Sequence, residues 1–221
     1  MQALVHRLTV ALLMLTGLVA STTSPAAAQD GTPLKIVAFG DSLTAGYGLP
    51  AQDAFPAKLQ AALKAKGHNV EIENAGVSGD TASGGLSRLD WSIPDGTDAV
   101  IVELGANDML RGVDPQVTRQ ALDEILARLT ARNIAVLFCG MRAAPNMGAD
   151  FAHAFESIFA ELAKKYDVIF YPFFLDGVAA QAKLALRDGV HPNAAGVDII
   201  VANIVPKAEE LIARARKRAP S

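Results

Sequence analysis

The sequence is poor in cysteine and in aromatic residues, and its charges are nearly balanced. Its single cysteine, Cys139, has no partner for a disulfide within the chain, so the fold must rest on a hydrophobic core. Cys139 ends the apolar run Ile134–Cys139, which predicts a buried structural thiol rather than a reactive one. The net charge is −3 and no basic stripe occurs, so we expect no nucleic acid partner.

Motifs for metal or nucleotide binding are also missing. There is no His-Glu-x-x-His, no Cys-x-x-Cys, no P-loop and no Gly-x-Gly-x-x-Gly after a predicted strand. A Gly-x-Ser-x-Gly elbow is missing as well, which argues against the α/β-hydrolase fold. His6 lies in the N-terminal segment, His68 follows a helix-ending glycine, and His153 lies on a predicted helix. These three histidines therefore form no metal-binding pattern.

The N-terminal segment has the layout of an export signal. Arg7 precedes the apolar stretch Leu8–Ala20, and the small, polar stretch Ser21–Ala28 follows it. The apolar stretch is shorter than the roughly 20 residues that a membrane span needs. We predict a signal peptide over residues 1–28 and a mature domain over 29–221 that begins near Gln29, with an uncleaved anchor as the alternative. The mature protein is then periplasmic or secreted, without stable membrane insertion.

The rest of the chain alternates between short apolar runs and amphipathic stretches. The runs predict five strands: Leu34–Phe39, Val70–Glu73, Ala99–Leu104, Ile134–Phe138 and Val168–Tyr171. The stretches between and after them predict helices: Phe55–Lys66, Thr81–Trp91, a helix capped by Asp114 that runs to about Arg132, Asp150–Tyr166, and a final helix capped by Asn193. Repeated β-α units predict an α/β fold with a parallel sheet covered on both faces.

Polar segments follow the predicted strands, at the edge where open parallel sheets bind ligands. They are Gly40–Thr44, Asn74–Asp80, Gly105–Asp108 and, after the last strand, Asp188–Asn193. Acyl transfer needs a nucleophile, a base within hydrogen-bond reach, a carboxylate that orients the base, and donors for an oxyanion. Ser42, His191 and Asp188 are the candidates for the first three roles.

The candidate oxyanion donors are the backbone N–H groups of Ser42 and Gly79 and the side-chain amide of Asn107. Glycine suits this role because no side chain blocks the approach to its N–H. Each residue alone has a plainer interpretation, since a serine after a strand often caps a helix and an Asn-Asp pair often closes a turn. The hypothesis depends on all four segments occurring in order, each after a predicted strand.

These four segments resemble the signature blocks of the SGNH hydrolases, also called GDSL esterases. Gly40–Leu43 resembles the nucleophile block, Gly79 the oxyanion glycine, Gly105–Asp108 the Gly-x-Asn-Asp block, and Asp188–His191 the last block. The resemblance extends from Ile36 to about Ile204 and is strongest to a bacterial periplasmic branch with acyl-CoA thioesterase, arylesterase and lysophospholipase activities. It implies a flavodoxin-like three-layer α/β/α sandwich with a five-stranded parallel sheet, no metal and no cofactor.

We therefore expect a serine esterase that cleaves small-molecule acyl esters and possibly thioesters. Apolar residues occur in the loops that should flank the site: Met109, Leu110, Met141, Pro145, Met147, Phe173, Phe174 and Leu175. A carbohydrate O-deacetylase of the same fold is one alternative, although aromatic residues are only 6% of the chain. A non-catalytic periplasmic binding module is another. The sequence does not determine acyl-chain length, leaving group or oligomeric state.

Overall fold

Five parallel strands form a single sheet in the order β2-β1-β3-β4-β5. The structure, a computed structural model, describes residues 31–218, so the predicted signal peptide lies outside the described residues. The strands are β1 (Leu34–Gly40), β2 (Val70–Gly76), β3 (Ala99–Glu103), β4 (Ala135–Cys139) and β5 (Ile169–Tyr171). This is the predicted α/β architecture, and the strand order is that of a flavodoxin-like sheet.

Seven α-helices surround this sheet within residues 31–218. They are α1 (Ser42–Ala45), α2 (Phe55–Ala65), α3 (Ala82–Ser92), α4 (Ala106–Leu110), α5 (Pro115–Ala131), α6 (Ala149–Lys165) and α7 (Ala194–Arg218). Helices α2 and α7 pack against each other, whereas α5 packs against α3 and α6. Because βαβ crossovers are right-handed, the change of direction at β1 places these two groups on opposite faces of the sheet.

Local sequence signals explain where several helices begin. The Asp114 carboxylate accepts the Gln116 N–H at 2.9 Å, and Pro115 occupies the first position of α5. The Asn193 side chain accepts the Gly196 N–H at 3.0 Å at the start of α7. Both caps were predicted from the sequence and are confirmed.

Two features differ from the sequence expectation. Strand β2 continues to Gly76, because Asn74–Gly76 pair in register with Ala38–Gly40 of β1. Strand β2 lies at the sheet edge and is partly exposed, so its polar end resembles a loop in sequence. The segments after β1 and β3, expected as loops, fold into the short helices α1 and α4.

The core lies where the helices cover the central strands. Every residue of β3 and β4 is buried, including Cys139, as predicted. Phe174, which the sequence placed beside the site, is instead buried in the core with its ring centroid 5.0 Å from that of Phe55. No helix within residues 31–218 is both long and apolar enough to cross a membrane.

Candidate active site

Ser42 begins the short helix that follows the first strand directly. The preceding residue, Asp41, caps this helix, because its carboxylate accepts the Leu43 N–H at 3.0 Å. The cap holds Ser42 at the carboxyl edge of the sheet, where the Ser42 side chain is largely buried among the strand ends. Local sequence thus determines the position of this hydroxyl.

His191 comes from the other end of the chain and reaches Ser42 with its ring. Its Nε2 lies 2.8 Å from the Ser42 Oγ, and its Nδ1 lies 2.7 Å from Oδ2 of Asp188. The second oxygen of Asp188 accepts the backbone N–H groups of Val190 and His191, at 2.9 and 3.0 Å. The turn therefore folds back on itself, and a continuous hydrogen-bonded chain joins the carboxylate, the imidazole and the hydroxyl.

The pKa values of the carboxyl groups at the site differ strongly. The backbone N–H groups of His191 and Val190, followed by the His191 ring, lower the pKa of Asp188 to about 2. Burial raises the pKa of Asp41 to about 6, although the Leu43 N–H and the Asn107 amide oppose the rise. Asp188 therefore remains ionised at neutral pH and can accept a hydrogen bond from the His191 Nδ1.

Asn107 lies on α4 beside the nucleophile. One N–H of its amide donates to the second Asp41 oxygen at 3.1 Å, which leaves the other N–H available. This contact was not predicted from the sequence, because 66 residues separate the two side chains.

Gly79 lies after β2 in the left-handed region, with φ of 89°, where glycine is favoured. Its carbonyl accepts an Arg111 N–H at 2.7 Å, a contact that the sequence did not indicate. Within the part of the chain that the structure describes, neither the Ser42 nor the Gly79 backbone N–H donates to another protein group. Both are therefore available as donors, although Gly79 does not line the cavity beside Ser42.

That cavity has a volume of about 320 Å³ and is predominantly apolar. Six of the eight apolar loop residues expected near the site line it: Met109, Leu110, Met141, Pro145, Phe173 and Leu175. Ser42, Asn107 and His191 share its wall. Met147 packs against the core and, like Phe174, does not contribute. This volume lies at the lower end of the range for small-molecule sites.

Tyr47 covers the His191 ring from the solvent side. The two ring centroids are 4.5 Å apart and the rings are tilted by 36°. Tyr47 follows α1, so the same segment that carries the nucleophile also packs against the imidazole. No sequence pattern predicts this contact, which joins residues from opposite ends of the domain.

A second buried carboxyl lies under the nucleophile helix. Glu103 ends β3, is 1% exposed, and its Oε2 accepts the Thr44 hydroxyl at 2.8 Å. Its other oxygen, Oε1, has no hydrogen-bond partner among the described residues. Burial, followed by the charge of Asp41, raises the pKa of Glu103 well above its usual range. A charged residue inside an apolar strand was the sequence signal that could have marked this position.

The buried side chains of Arg88 and Asp108 form hydrogen bonds that stabilise the loops around the site. The Arg88 guanidinium donates to the carbonyls of Gly40 and Ala75, at 2.8 and 2.9 Å, and so ties the ends of β1 and β2 together. Asp108 accepts the Ala82 N–H at 2.8 Å and the Thr118 hydroxyl at 2.9 Å, which joins α3 and α5 to α4. Within residues 31–218 no cluster of three or more His, Cys, Asp or Glu side chains is placed to hold a metal ion.

A parallel α/β sheet that presents a serine and a histidine in hydrogen-bond contact at its carboxyl edge defines a serine hydrolase. Residues 38–199 match the GDSL-like Lipase/Acylhydrolase family, and the chain belongs to that family. The match confirms the family expected from the sequence blocks.

Named relatives and solved structures agree with this assignment. Esterase TesA of Pseudomonas aeruginosa is 34% identical over 203 residues, which cover 90% of this chain and 98% of the relative. Thioesterase 1/protease 1/lysophospholipase L1 of Escherichia coli K12 is 40% identical over 159 residues, 72% of this chain and 75% of the relative. The crystal structure of AlinE4, an SGNH-hydrolase family esterase, superposes with a TM-score of 0.70 at 46% identity and covers 81% of this chain and 97% of that one. The protein is an esterase with the SGNH hydrolase fold.

Proposed function

We propose that this esterase cleaves acyl esters and thioesters with Ser42 as nucleophile, His191 as base and Asp188 as the carboxylate that orients the base. The observation that carries the proposal is the hydrogen-bonded chain from Asp188 Oδ2 through both ring nitrogens to the Ser42 Oγ, with contacts of 2.7 and 2.8 Å. An ionised Asp188 beside Nδ1 favours the tautomer that carries its proton there. Nε2 is then free to accept the Ser42 proton.

In the acylation step the Ser42 Oγ attacks the carbonyl carbon while His191 Nε2 accepts the hydroxyl proton. The tetrahedral intermediate collapses as the bond to the alcohol or thiol breaks, and the imidazolium returns the proton to that leaving group. Water then attacks the acyl-Ser42 ester, again with His191 as base, and the carboxylic acid leaves. No redox step and no external cofactor are needed for this sequence.

The negative oxygen of each tetrahedral intermediate needs donors. We assign the role to the backbone N–H groups of Ser42 and Gly79 and to the free N–H of the Asn107 amide. Support comes from the unpaired state of both backbone donors and from Asp41, which fixes the rotation of the amide. Donors that are oriented in advance stabilise charge without reorganisation during the reaction.

The apolar cavity favours an acyl or aryl group as the part of the substrate that binds beside Ser42. Relatives carry the names arylesterase, thioesterase and lysophospholipase, which fits an apolar substrate with a variable leaving group. We also propose that residues 1–28 direct the chain to the periplasm or outside the cell.

The test is hydrolysis of para-nitrophenyl esters of graded chain length by the wild type and by Ser42→Ala. We expect Ser42→Ala to lose several orders of magnitude in kcat/KM while its circular dichroism stays unchanged. The matched control is Ser157→Ala on α6, whose hydroxyl contacts only a helix carbonyl and whose loss should leave the rate unchanged. Near-normal turnover by folded Ser42→Ala would contradict the proposal.

A further inference from the structure

The cavity beside Ser42 contains one arginine and no carboxylate. Among its lining residues, Arg142 carries the only fixed charge, and the remainder are apolar, apart from Ser42, Asn107 and His191. Arg142 is exposed, whereas its neighbour Met141 is 4% exposed, so the charge lies at the mouth of the cavity. An apolar cavity with a single positive charge is complementary to a molecule that is apolar at one end and anionic at the other.

The guanidinium of Arg142 is held by a ring rather than by an acid. Its Cζ lies 4.8 Å from the centroid of the Phe173 ring, which lines the same cavity. The distance is that of a cation–π contact, which needs no hydrogen-bond acceptor. Among residues 31–218 no carboxylate forms an ion pair with Arg142, so its donors are available to a ligand.

A carboxylate on the helix that follows this segment is bound to a backbone group instead. Glu156 on α6 accepts the backbone N–H of Ala143 at 3.0 Å. This hydrogen bond holds the segment after β4 against α6. Two other arginines near the site have protein partners: Arg88 pairs with Asp80 at 2.6 Å, and Arg111 donates to the Gly79 carbonyl at 2.7 Å. Arg142 differs from these two because it contacts the Phe173 ring, and no protein acceptor among the described residues binds its N–H groups.

We propose that Arg142 recognises an anionic group, a carboxylate or a phosphate, on the ester that Ser42 attacks. The preferred substrate class is then an anionic amphiphile. The apolar part of this ester fills the cavity, and two oxygens of its carboxylate or phosphate bind the guanidinium at the mouth. The inference rests on the proposed function, because it assumes that the cavity holds the substrate during attack by Ser42. The planar fork of arginine matches either anion with two parallel hydrogen bonds.

The test compares pairs of esters in which one member carries an added anionic group, on the acyl half in one pair and on the leaving half in the other. Para-nitrophenyl butyrate is compared with mono-para-nitrophenyl glutarate, which bears a carboxylate on the acyl half. Phenyl butyrate is compared with para-butyryloxyphenyl phosphate, which bears a phosphate on the leaving half. Each pair is measured as kcat/KM with the wild type, Arg142→Gln, Arg142→Lys and the control Lys64→Gln. Lys64 lies on α2 outside the cavity and is exposed, so its variant removes one positive charge without changing the site.

We expect Arg142→Gln to lower the anionic-to-neutral ratio of kcat/KM about tenfold in at least one pair, as loss of a charge-assisted hydrogen bond would. The affected pair identifies the half of the substrate that lies at the mouth. Arg142→Lys should retain part of the ratio, and the wild-type preference should shrink as salt rises.

The inference would be overturned if Arg142→Gln changes the anionic-to-neutral ratio of kcat/KM less than about twofold in both pairs. The same holds if Lys64→Gln lowers the ratio equally, since the effect would then come from total charge. The proposed function fails on a different result, namely turnover of the neutral esters by Ser42→Ala. The Arg142 variants do not bear on that result, so the two failures are distinguishable.

Discussion

At the scale of single residues, the Asp188 carboxylate accepts three hydrogen bonds within its own turn. Two come from backbone N–H groups and one from the His191 ring. They hold its pKa at about 2, below the value of about 3.9 for an unfolded aspartate. The ionised form is thus the favoured folded form. Its contribution to stability is present above about pH 4 and is lost as pH falls towards about 2.

We predict that Asp188→Asn lowers kcat about 10²- to 10⁴-fold, the upper limit being the loss seen when a protease triad loses its carboxylate. An asparagine oxygen still accepts the turn N–H groups, so the turn persists while the imidazole loses its charged partner. The pH–rate profile and KM are measured beside Asp176→Asn, an exposed aspartate outside the cavity. If Asp188→Asn has the wild-type rate and the wild-type decrease in rate at acid pH, this carboxylate has no role in the mechanism.

Asn107 should act on the transition state more than on substrate binding. We predict that Asn107→Ala lowers kcat about 10²- to 10³-fold with little change in KM, because the oxyanion forms only after attack. The variant also removes a hydrogen bond that opposes the raised pKa of Asp41. Asn203→Ala, which loses only a contact to the Asp176 carbonyl on the surface, is the control. A change confined to KM would assign Asn107 to substrate binding instead.

Glu103 should make the stability of the fold depend on pH. Its folded pKa lies well above the unfolded value of about 4.3, so the folded state binds the proton more tightly. Stability then falls as pH rises from about 4.3 through the folded pKa. We predict that the free energy of unfolding falls less between about pH 5 and about pH 8 in Glu103→Gln than in the wild type. The glutamine amide oxygen still accepts the Thr44 hydroxyl. Urea unfolding measures the difference, and equal pH dependence in the two proteins would contradict the prediction.

At the scale of elements, the nucleophile helix α1 packs directly on the end of edge strand β2. The Asn74 amide donates to the Ala45 carbonyl at 3.2 Å, and its oxygen accepts the Gly76 N–H at 3.0 Å. A Cβ at Gly76 would lie 2.3 Å from the Ala45 nitrogen and 2.7 Å from its Cα. The position of Ser42 therefore depends on a glycine in a strand that does not line the cavity.

Gly76→Ala should destabilise the fold by about 1–3 kcal/mol and lower kcat, because backbone atoms of α1 must move to admit the methyl group. Gly31→Ala is the matched control, since a Cβ there meets no atom within 4 Å. Denaturant unfolding and ester turnover are measured for both variants. A Gly76→Ala protein with wild-type stability and rate would show that α1 adjusts without displacing its serine.

At the scale of the whole molecule, one catalytic domain accounts for the family match. The match over residues 38–199 lies within the described residues 31–218. The residues assigned to the site, from Ser42 to His191, lie within the same range. The domain should therefore fold and act without residues 1–28.

We predict that export removes residues 1–28 and leaves Gln29 as the first residue. The basis is the succession of Arg7, an apolar stretch and small residues that end at Ala28. N-terminal sequencing and intact mass of protein from the periplasm or medium measure the cleavage position. Replacement of Ala26 and Ala28 with bulky residues should block it, and a cytoplasmic, active protein that begins at Met1 would refute export.

Sequence alone determined the features that depend on neighbours along the chain. The alternation of apolar runs and amphipathic stretches predicted all five strands, and short-range hydrogen bonds account for the caps at Asp114 and Asn193. The fold-back of Asp188 onto His191 spans three residues and was predictable for the same reason. The end of β2 was not predictable from the sequence. Its last residues pair with β1 through backbone hydrogen bonds, which do not require a particular side chain.

Tertiary structure decided the contacts between distant segments. Ser42 and His191 are 149 residues apart, and 59 residues separate Thr44 from Glu103. The contact of Tyr47 with His191 and the position of Arg142 over Phe173 also depend on which loops meet at the sheet edge. Residue spacing does not encode these contacts, because they exist only after the strands assemble in the order β2-β1-β3-β4-β5 and bring their carboxyl ends together.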